Sequence, residues 1–212
     1  MSASWSGLAV AGALIGAALS PLLTSLGLRQ LARRDRSDSG LQLISALVGG
    51  LAGAAAVTTS HRVHVWQLAP ALLVWGCALV AAATCDAVTQ RIPTPLVRQA
   101  TVATSVLLLI GLTMHGDWRG LLLSGVGSVA GGLTMLMCWR CAGAGFGDVR
   151  LAVLGGLGLG HATQGGLLLG FAALVATTGV QAGITLAHGG TRKTLIPYGP
   201  ALAAGFLVAA AV

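Results

Sequence analysis

Long apolar stretches with almost no charge recur along the whole 212-residue chain, near positions 5–28, 41–58, 68–86, 99–114, 120–139, 149–162, 166–187 and 196–212. A hydrocarbon core about 30 Å thick is crossed by roughly 20 apolar residues in a helix. The runs match or approach that length, the sixth being the shortest. Lipid offers no partner to an exposed backbone amide, so each run is expected to be helical. Barrel strands would alternate polar and apolar residues, and these runs do not. Only 8% of the residues are charged and 55% are hydrophobic, where ordinary soluble domains carry roughly 25% charge. That composition excludes a disordered segment and a water-soluble domain. The 32 glycines follow no Gly-X-Y period, which excludes collagen. The expected fold is therefore all-α: one polytopic membrane domain over residues 1–212, with about eight transmembrane helices.

A formal charge of +7 would suggest nucleic acid in a soluble protein. Here the cations sit between apolar runs and are better read as orienting the chain in a lipid bilayer, with no nucleic-acid partner. Of the twelve basic residues, all but Arg62 and Arg119 fall in or at the edge of the odd-numbered gaps. The positive-inside rule then places those gaps in the cytoplasm and both termini outside. The N-terminus has no positive region before its apolar run, so it reads as a first span rather than a cleaved signal peptide. The longest cytoplasmic gap, with Arg29, Arg33, Arg34, Asp35, Arg36 and Asp38, reads as a solvated basic anchor.

Most other features have a structural reading. Glycine pairs four residues apart (Gly12/Gly16, Gly49/Gly53, Gly127/Gly131, Gly156/Gly160, Gly166/Gly170 and Gly179/Gly183) are expected at close helix contacts. Cys138 and Cys141 form one Cys-x-x-Cys without a second pair nearby, too few ligands for a structural zinc site. Cys77 and Cys85 read as small apolar helix residues. The five histidines, His61, His64, His115, His161 and His188, scatter over several loops, so neither metal nor other cofactor is expected. Trp5, Trp66, Trp75, Trp118 and Trp139 lie mostly near span ends, as an interfacial belt would place them.

The acids are more informative. There are five, all aspartate. Asp35 and Asp38 belong to the basic loop, and Asp117, beside Arg119, reads as solvated. Asp86 and Asp148 remain, each at the cytoplasmic edge of an apolar run. An ionisable residue there is a functional candidate by default; the bland alternative is that each pairs with a nearby arginine, Arg91 or Arg150. Asp86 is followed by Arg91-Ile92-Pro93-Thr94-Pro95, whose prolines interrupt a helix. Asp148 is preceded by Gly143-Ala-Gly145-Phe-Gly147, a run that lets another backbone come close. A third irregular element, Ile196-Pro197-Tyr198-Gly199-Pro200, opens the last span on the same side. Irregular backbone at membrane depth must be buried in protein or line a wet cavity, so the three are expected to share one.

Taken together, Asp86 with Arg91-Ile92-Pro93, then Gly145-Phe-Gly147-Asp148-Val-Arg150-Leu, then Ile196-Pro197-Tyr198-Gly199-Pro200 resemble the prepilin peptidases. These are polytopic aspartic proteases of the Gly-x-Gly-Asp class that process type IV prepilins and pseudopilins. The likeness covers about residues 68 to 205. It implies that Asp86 and Asp148 are the catalytic pair, and that Gly145, Gly147, Arg91, Pro93, Arg150, Pro197, Tyr198, Gly199 and Pro200 shape the site. It implies a partner with a short basic leader before a hydrophobic helix, cut after a glycine at the cytoplasmic face of a bacterial inner membrane. The chain departs from the pattern at Thr94, where the family has asparagine, at Arg150, where lysine is usual, and at Tyr198, where phenylalanine is common. It also lacks the cysteine-rich insertion linked to N-methylation, so methyltransferase activity is not expected. In this it is similar to the compact members associated with Flp/Tad-type pili.

The chemistry suits two carboxylates. Amide hydrolysis by such a dyad needs one ionised and one protonated acid with a water between them, and the two titrate as a coupled unit. A proton-coupled transporter using the same aspartates is the rival from another class, but it would more naturally place them near mid-bilayer. A non-catalytic pilus assembly factor is the third reading.

Overall fold

The computed structural model describes residues 3–31, 39–142, 145–187 and 197–212. Arg33, Arg34, Asp35, Arg36 and Asp38 of the basic loop lie outside the described residues, as do Gly143, His188, Arg192, Lys193, Ile196 and the side chain of Trp5. The described chain is helical and holds no strand: α1 (Ala3–Gln30), α2 (Ser39–Arg62), α3 (Ala69–Thr89), α4 (Thr94–His115), α5 (Trp118–Ala142), α6 (Phe146–Leu157), α7 (Gln164–Ala187) and α8 (Gly199–Ala211). A short 3-10 turn, Trp66–Leu68, leads into α3.

The helices fall where the apolar runs predict them, but two are shorter than expected. Six, the first five and α7, are long and apolar enough to cross a membrane. The 12 residues of α6 and the 13 of α8 span only about 18–20 Å at 1.5 Å per residue. For α6 the cause is local. Its apolar run continues through Gly158 and Gly160, but the chain turns there, with Gly158 N–H bonding to Gly155 O and Leu159 N–H to Gly156 O.

Successive helices pack as pairs along glycine seams. A methyl added at Gly12 would lie 2.7 Å from Gly53 O, and one at Gly49 2.6 Å from Gly16 O, so α1 and α2 touch backbone to backbone. Gly127 meets Gly156 O between α5 and α6 at 2.6 Å by the same measure, and Gly166 meets Ala209 O between α7 and α8 at 2.7 Å. In lipid such close approach supplies the dispersion contacts that hydrophobic burial cannot. Gly179 and Gly183 depart from this expectation: among the described residues, neither has any atom within 4 Å of an added methyl.

Helix α3 is the axis of the bundle. Of its most apolar stretch 72% is buried, against 6% for α7 and 11% for α5, and it touches α1, α2, α4, α6 and α8. Trp75 on α3 is 3% exposed and so stands apart from the tryptophans near span ends. Its indole N–H donates to Leu154 O at 2.9 Å and Gly155 O at 3.2 Å, tying α3 to α6. Trp66, Trp118 and Trp139 are exposed. Arg62, one of the two cations outside the odd-numbered gaps, caps α8: Nη1 donates to Ala211 O at 3.2 Å and also to Val212 O. A cation at the carbonyl end of a helix satisfies orphan acceptors and opposes the helix dipole. Thr59 Oγ1 adds a bond to Ala210 O at 3.1 Å.

Candidate active site

Asp86 lies in the last turn of α3 and is 5% exposed. The helix ends three residues later because Gln90 adopts φ 52°, ψ 32°, a left-handed cap whose N–H bonds to Asp86 O at 2.7 Å. The segment to Pro93 is non-helical, as the proline pattern predicts. Pro93 then sits at the N-cap of α4 and Pro95 in its first turn, where a missing N–H costs nothing. Asp148 is the third residue of α6 and is 7% exposed. It reaches back so that Gly145 N–H donates to its Oδ2 at 3.0 Å, while its own N–H bonds to Gly145 O at 3.1 Å. That exchange resembles a capping box and accounts for one carboxylate oxygen.

The first turn of α8 completes the arrangement. Gly199 N–H donates to Asp86 Oδ2 at 2.9 Å across 113 residues of chain. Each acid is thus gripped at Oδ2 by one glycine amide. Among the described residues neither Oδ1 has a protein partner. Both acids line one cavity of about 380 Å³. A water occupies about 30 Å³ of liquid, so the space admits a water together with a short extended peptide.

The cavity also takes Gln90, Arg91, Ile92, Thr94, Gly145, Phe146, Gly147 and Arg150, with Leu31 of the loop after α1. Gly147 sits where a methyl would lie 3.1 Å from Ile92 Cβ, so the glycine lets α6 start against the segment after α3. Pro93 is fully buried behind the cavity, 3.1 Å from a methyl added at Gly27. The other predicted site residues are not in the cavity. Tyr198 is 43% exposed and faces an apolar groove of about 480 Å³. Pro200 borders a separate apolar groove of about 310 Å³. Pro197 is partly buried.

The bland arginine pairing does not occur: among the described residues, neither Arg91 nor Arg150 forms an ion pair with either acid. Arg150 lies over the Phe146 ring at 5.0 Å, and its Nη1 donates to Thr94 Oγ1 at 2.8 Å. Phe146 packs edge-on against Trp139 at 5.6 Å. Sequence reasoning did not single out Phe146 or Gln90. A lone aromatic between two glycines was the available signal for Phe146; the left-handed Gln90 left none.

Asp117 is also more than solvated. Its Oδ1 accepts from Gly120 N–H at 2.8 Å, capping α5, and its Oδ2 meets His161 Nε2 at 2.6 Å. The Gly120 amide, first of all, holds this carboxyl below the ordinary carboxylate range. Partial burial opposes it, and the bond to His161 and the charges of His161 and His115 add to it. Among the described residues no three His, Cys, Asp or Glu side chains gather as metal ligands.

Compared with known proteins, the chain matches no family model, no curated protein and no solved structure. The chemistry of the site itself must therefore carry the functional reading. Two buried carboxyl groups, each fixed at one oxygen and open at the other, can position a water. One carboxylate can take its proton while the other carboxyl protonates an acceptor.

Proposed function

We propose that the chain is a membrane-embedded aspartic endopeptidase of the prepilin peptidase kind. It removes a basic leader from prepilin-like precursors, after a glycine, at the cytoplasmic face of a bacterial inner membrane. The observation that carries this reading is the convergence of Asp86 and Asp148 on one cavity, each held by a glycine amide from a motif that resembles the family's.

In the mechanism, Asp86 and Asp148 hold a water between their free oxygens with one proton shared by the pair. The ionised acid accepts the water's proton as it attacks the scissile carbonyl, and the other acid protonates the carbonyl oxygen. The proton then passes to the departing amine as the C–N bond breaks. Gly199 and Gly145 fix the carboxyls, which is where positioning lowers the barrier. The chain's own departures from the family pattern support the same site. Thr94 and Arg150, the two residues that replace asparagine and lysine, are bonded to each other at its rim.

Positive-inside orientation places the dyad on the cytoplasmic side, with α6 and α8 embedded among the six longer helices. A proton-coupled transporter is less well supported, because both acids sit at helix ends beside irregular backbone rather than mid-helix. The test is to incubate purified protein in proteoliposomes with a synthetic precursor (a lysine-containing leader ending in glycine, followed by a 20-residue apolar helix) and follow leader release by mass spectrometry. Asp86→Ala and Asp148→Ala are each expected to abolish cleavage while keeping the wild-type thermal midpoint in detergent within a few degrees. Cleavage by both variants would overturn the assignment.

A further inference from the structure

A second cavity is larger than the one that holds the aspartates. It is the apolar groove of about 480 Å³ between α5, α7 and α8, lined by Met135, Cys138, Leu174, Thr178, Gly179 and Tyr198 among others. Leu174 and Leu202 are shared with a smaller apolar cavity of about 150 Å³ bounded by Leu159, Leu167 and Phe206. With two lining residues in common, the two adjoin and are treated together as one furrow. Along α7 it runs from Leu167 to Gly179, about 18 Å at 1.5 Å per residue.

The furrow comes within one residue of a group that holds the site. Tyr198 lines it, and the next residue, Gly199, is the one whose amide grips Asp86. Helices α5 and α7 flank it, and they are the two least covered of the long apolar helices, with 11% and 6% of their most apolar stretch buried. Every other glycine pair at four-residue spacing has at least one member pressed against a neighbouring element, whereas Gly179 and Gly183 meet nothing within 4 Å among the described residues. Close approach at paired small residues is how one helix backbone seats on another in lipid. An acyl chain gains nothing particular from it.

We infer that this furrow seats an apolar transmembrane helix of the substrate, lying across Gly179 with its end delivered past Tyr198 to the aspartates. The inference rests on the protease reading, which supplies the occupant: the furrow leads to a peptide-cutting site, so what fills it carries a peptide bond at its end. Helix packing in the furrow aligns the precursor, and the residues beyond the helix extend into the 380 Å³ cavity.

Cys138 lines the groove and serves as a native reporter. In a Cys141→Ser background carrying Asp148→Asn to block turnover, the same synthetic precursor is added to proteoliposomes, and Cys138 is labelled with a lipid-soluble maleimide. The precursor is expected to slow labelling at least tenfold. Gly179→Leu, whose added side chain starts in open space, is expected to remove that protection and, in the active enzyme, to raise KM about tenfold with little change in kcat or thermal midpoint. Gly125→Leu on α5 also starts in open space but lies outside the furrow, and is expected to do neither. If wild-type enzyme cuts the precursor while Cys138 labels at its free rate, the furrow assignment fails and the protease reading stands. Protection of Cys138 with no cutting by the wild type would leave the furrow as a helix-docking surface and remove the protease reading. Protection that appears without precursor and grows with protein density would show a second copy in the furrow and overturn the inference.

Discussion

Gly199 N–H lies 2.9 Å from Asp86 Oδ2, and the absence of a side chain at Gly199 is what lets it come so near. A methyl there would stand 2.7 Å from the same oxygen and 2.9 Å from Asp86 Cβ, closer than real contacts allow. The first turn of α8 and the last turn of α3 are therefore packed through one glycine, and that packing aims one of the two acids.

Gly199→Ala is expected to push α8 away from Asp86 and lower kcat about 10²-fold, the scale of a misplacement near 1 Å. Gly145→Ala is the comparison. Its methyl would lie 3.1 Å from Asp148 Oδ2, a distance a carboxylate can relieve by a small rotation, so a loss below about tenfold is expected. Initial rates of precursor cleavage for the two variants check the ranking. Equal losses would mean that the Gly199 contact does not position Asp86.

The Arg150–Thr94 bond joins two residues from separate motifs. Both depart from the pattern the chain resembles, and their contact suggests that the changes compensate one another. Each single swap, Arg150→Lys or Thr94→Asn, is expected to lower cleavage several-fold, and the double variant to recover most of it. A partly solvated hydrogen bond of this kind is worth about 0.5–1.5 kcal/mol, so the coupling in the double-mutant cycle should fall in that range. Additive losses would show that the two positions act independently.

Trp75 is the residue through which α3 and α6, the helices bearing the two acids, are held in register. Trp75→Phe keeps most of the apolar contact and removes the indole donor. Its expected cost is about 1–2 kcal/mol of stability, read as a lower thermal midpoint in detergent, with a larger fall in kcat than in substrate affinity. An unchanged kcat would confine Trp75 to packing.

Much of this was legible because hydropathy and irregular backbone are local signals. The helices followed from apolar runs, and Asp86 and Asp148 from two acids placed beside prolines and glycines in an otherwise apolar chain. The misses are of another kind. Trp75 lies well inside the apolar run 68–86, where composition does not reveal that the ring faces a carbonyl 79 residues away. The apolar run outlasts α6 through Gly158 and Gly160, since glycine does not interrupt an apolar run although it permits a turn. The motif groups Tyr198 with the aspartates, yet Tyr198 lines the furrow while its neighbour's amide serves the site. Contacts across long loops leave no periodic trace.

At the opposite ends of α4 and α6 from the two motifs, Asp117 joins the loop after α4 to His161 after α6. Its carboxyl is held below the ordinary carboxylate range, chiefly by the Gly120 amide. A group whose pKa is depressed on folding adds stability above its unfolded value, about 3.9 for aspartate. That stability is lost as the pH falls through the lower folded value. Asp117→Ala removes both the cap and the histidine contact, and is expected to cost about 1 kcal/mol at pH 7, the usual value of an N-cap. Asp117→Asn keeps an acceptor for Gly120 and should cost less. Thermal midpoints measured from pH 7 down to pH 3 should show the gap between wild type and Asp117→Ala narrowing below about pH 4. A gap that stays constant across this range would mean that the ionised carboxylate contributes no more than its neutral form, and that the pair with His161 is incidental to the fold.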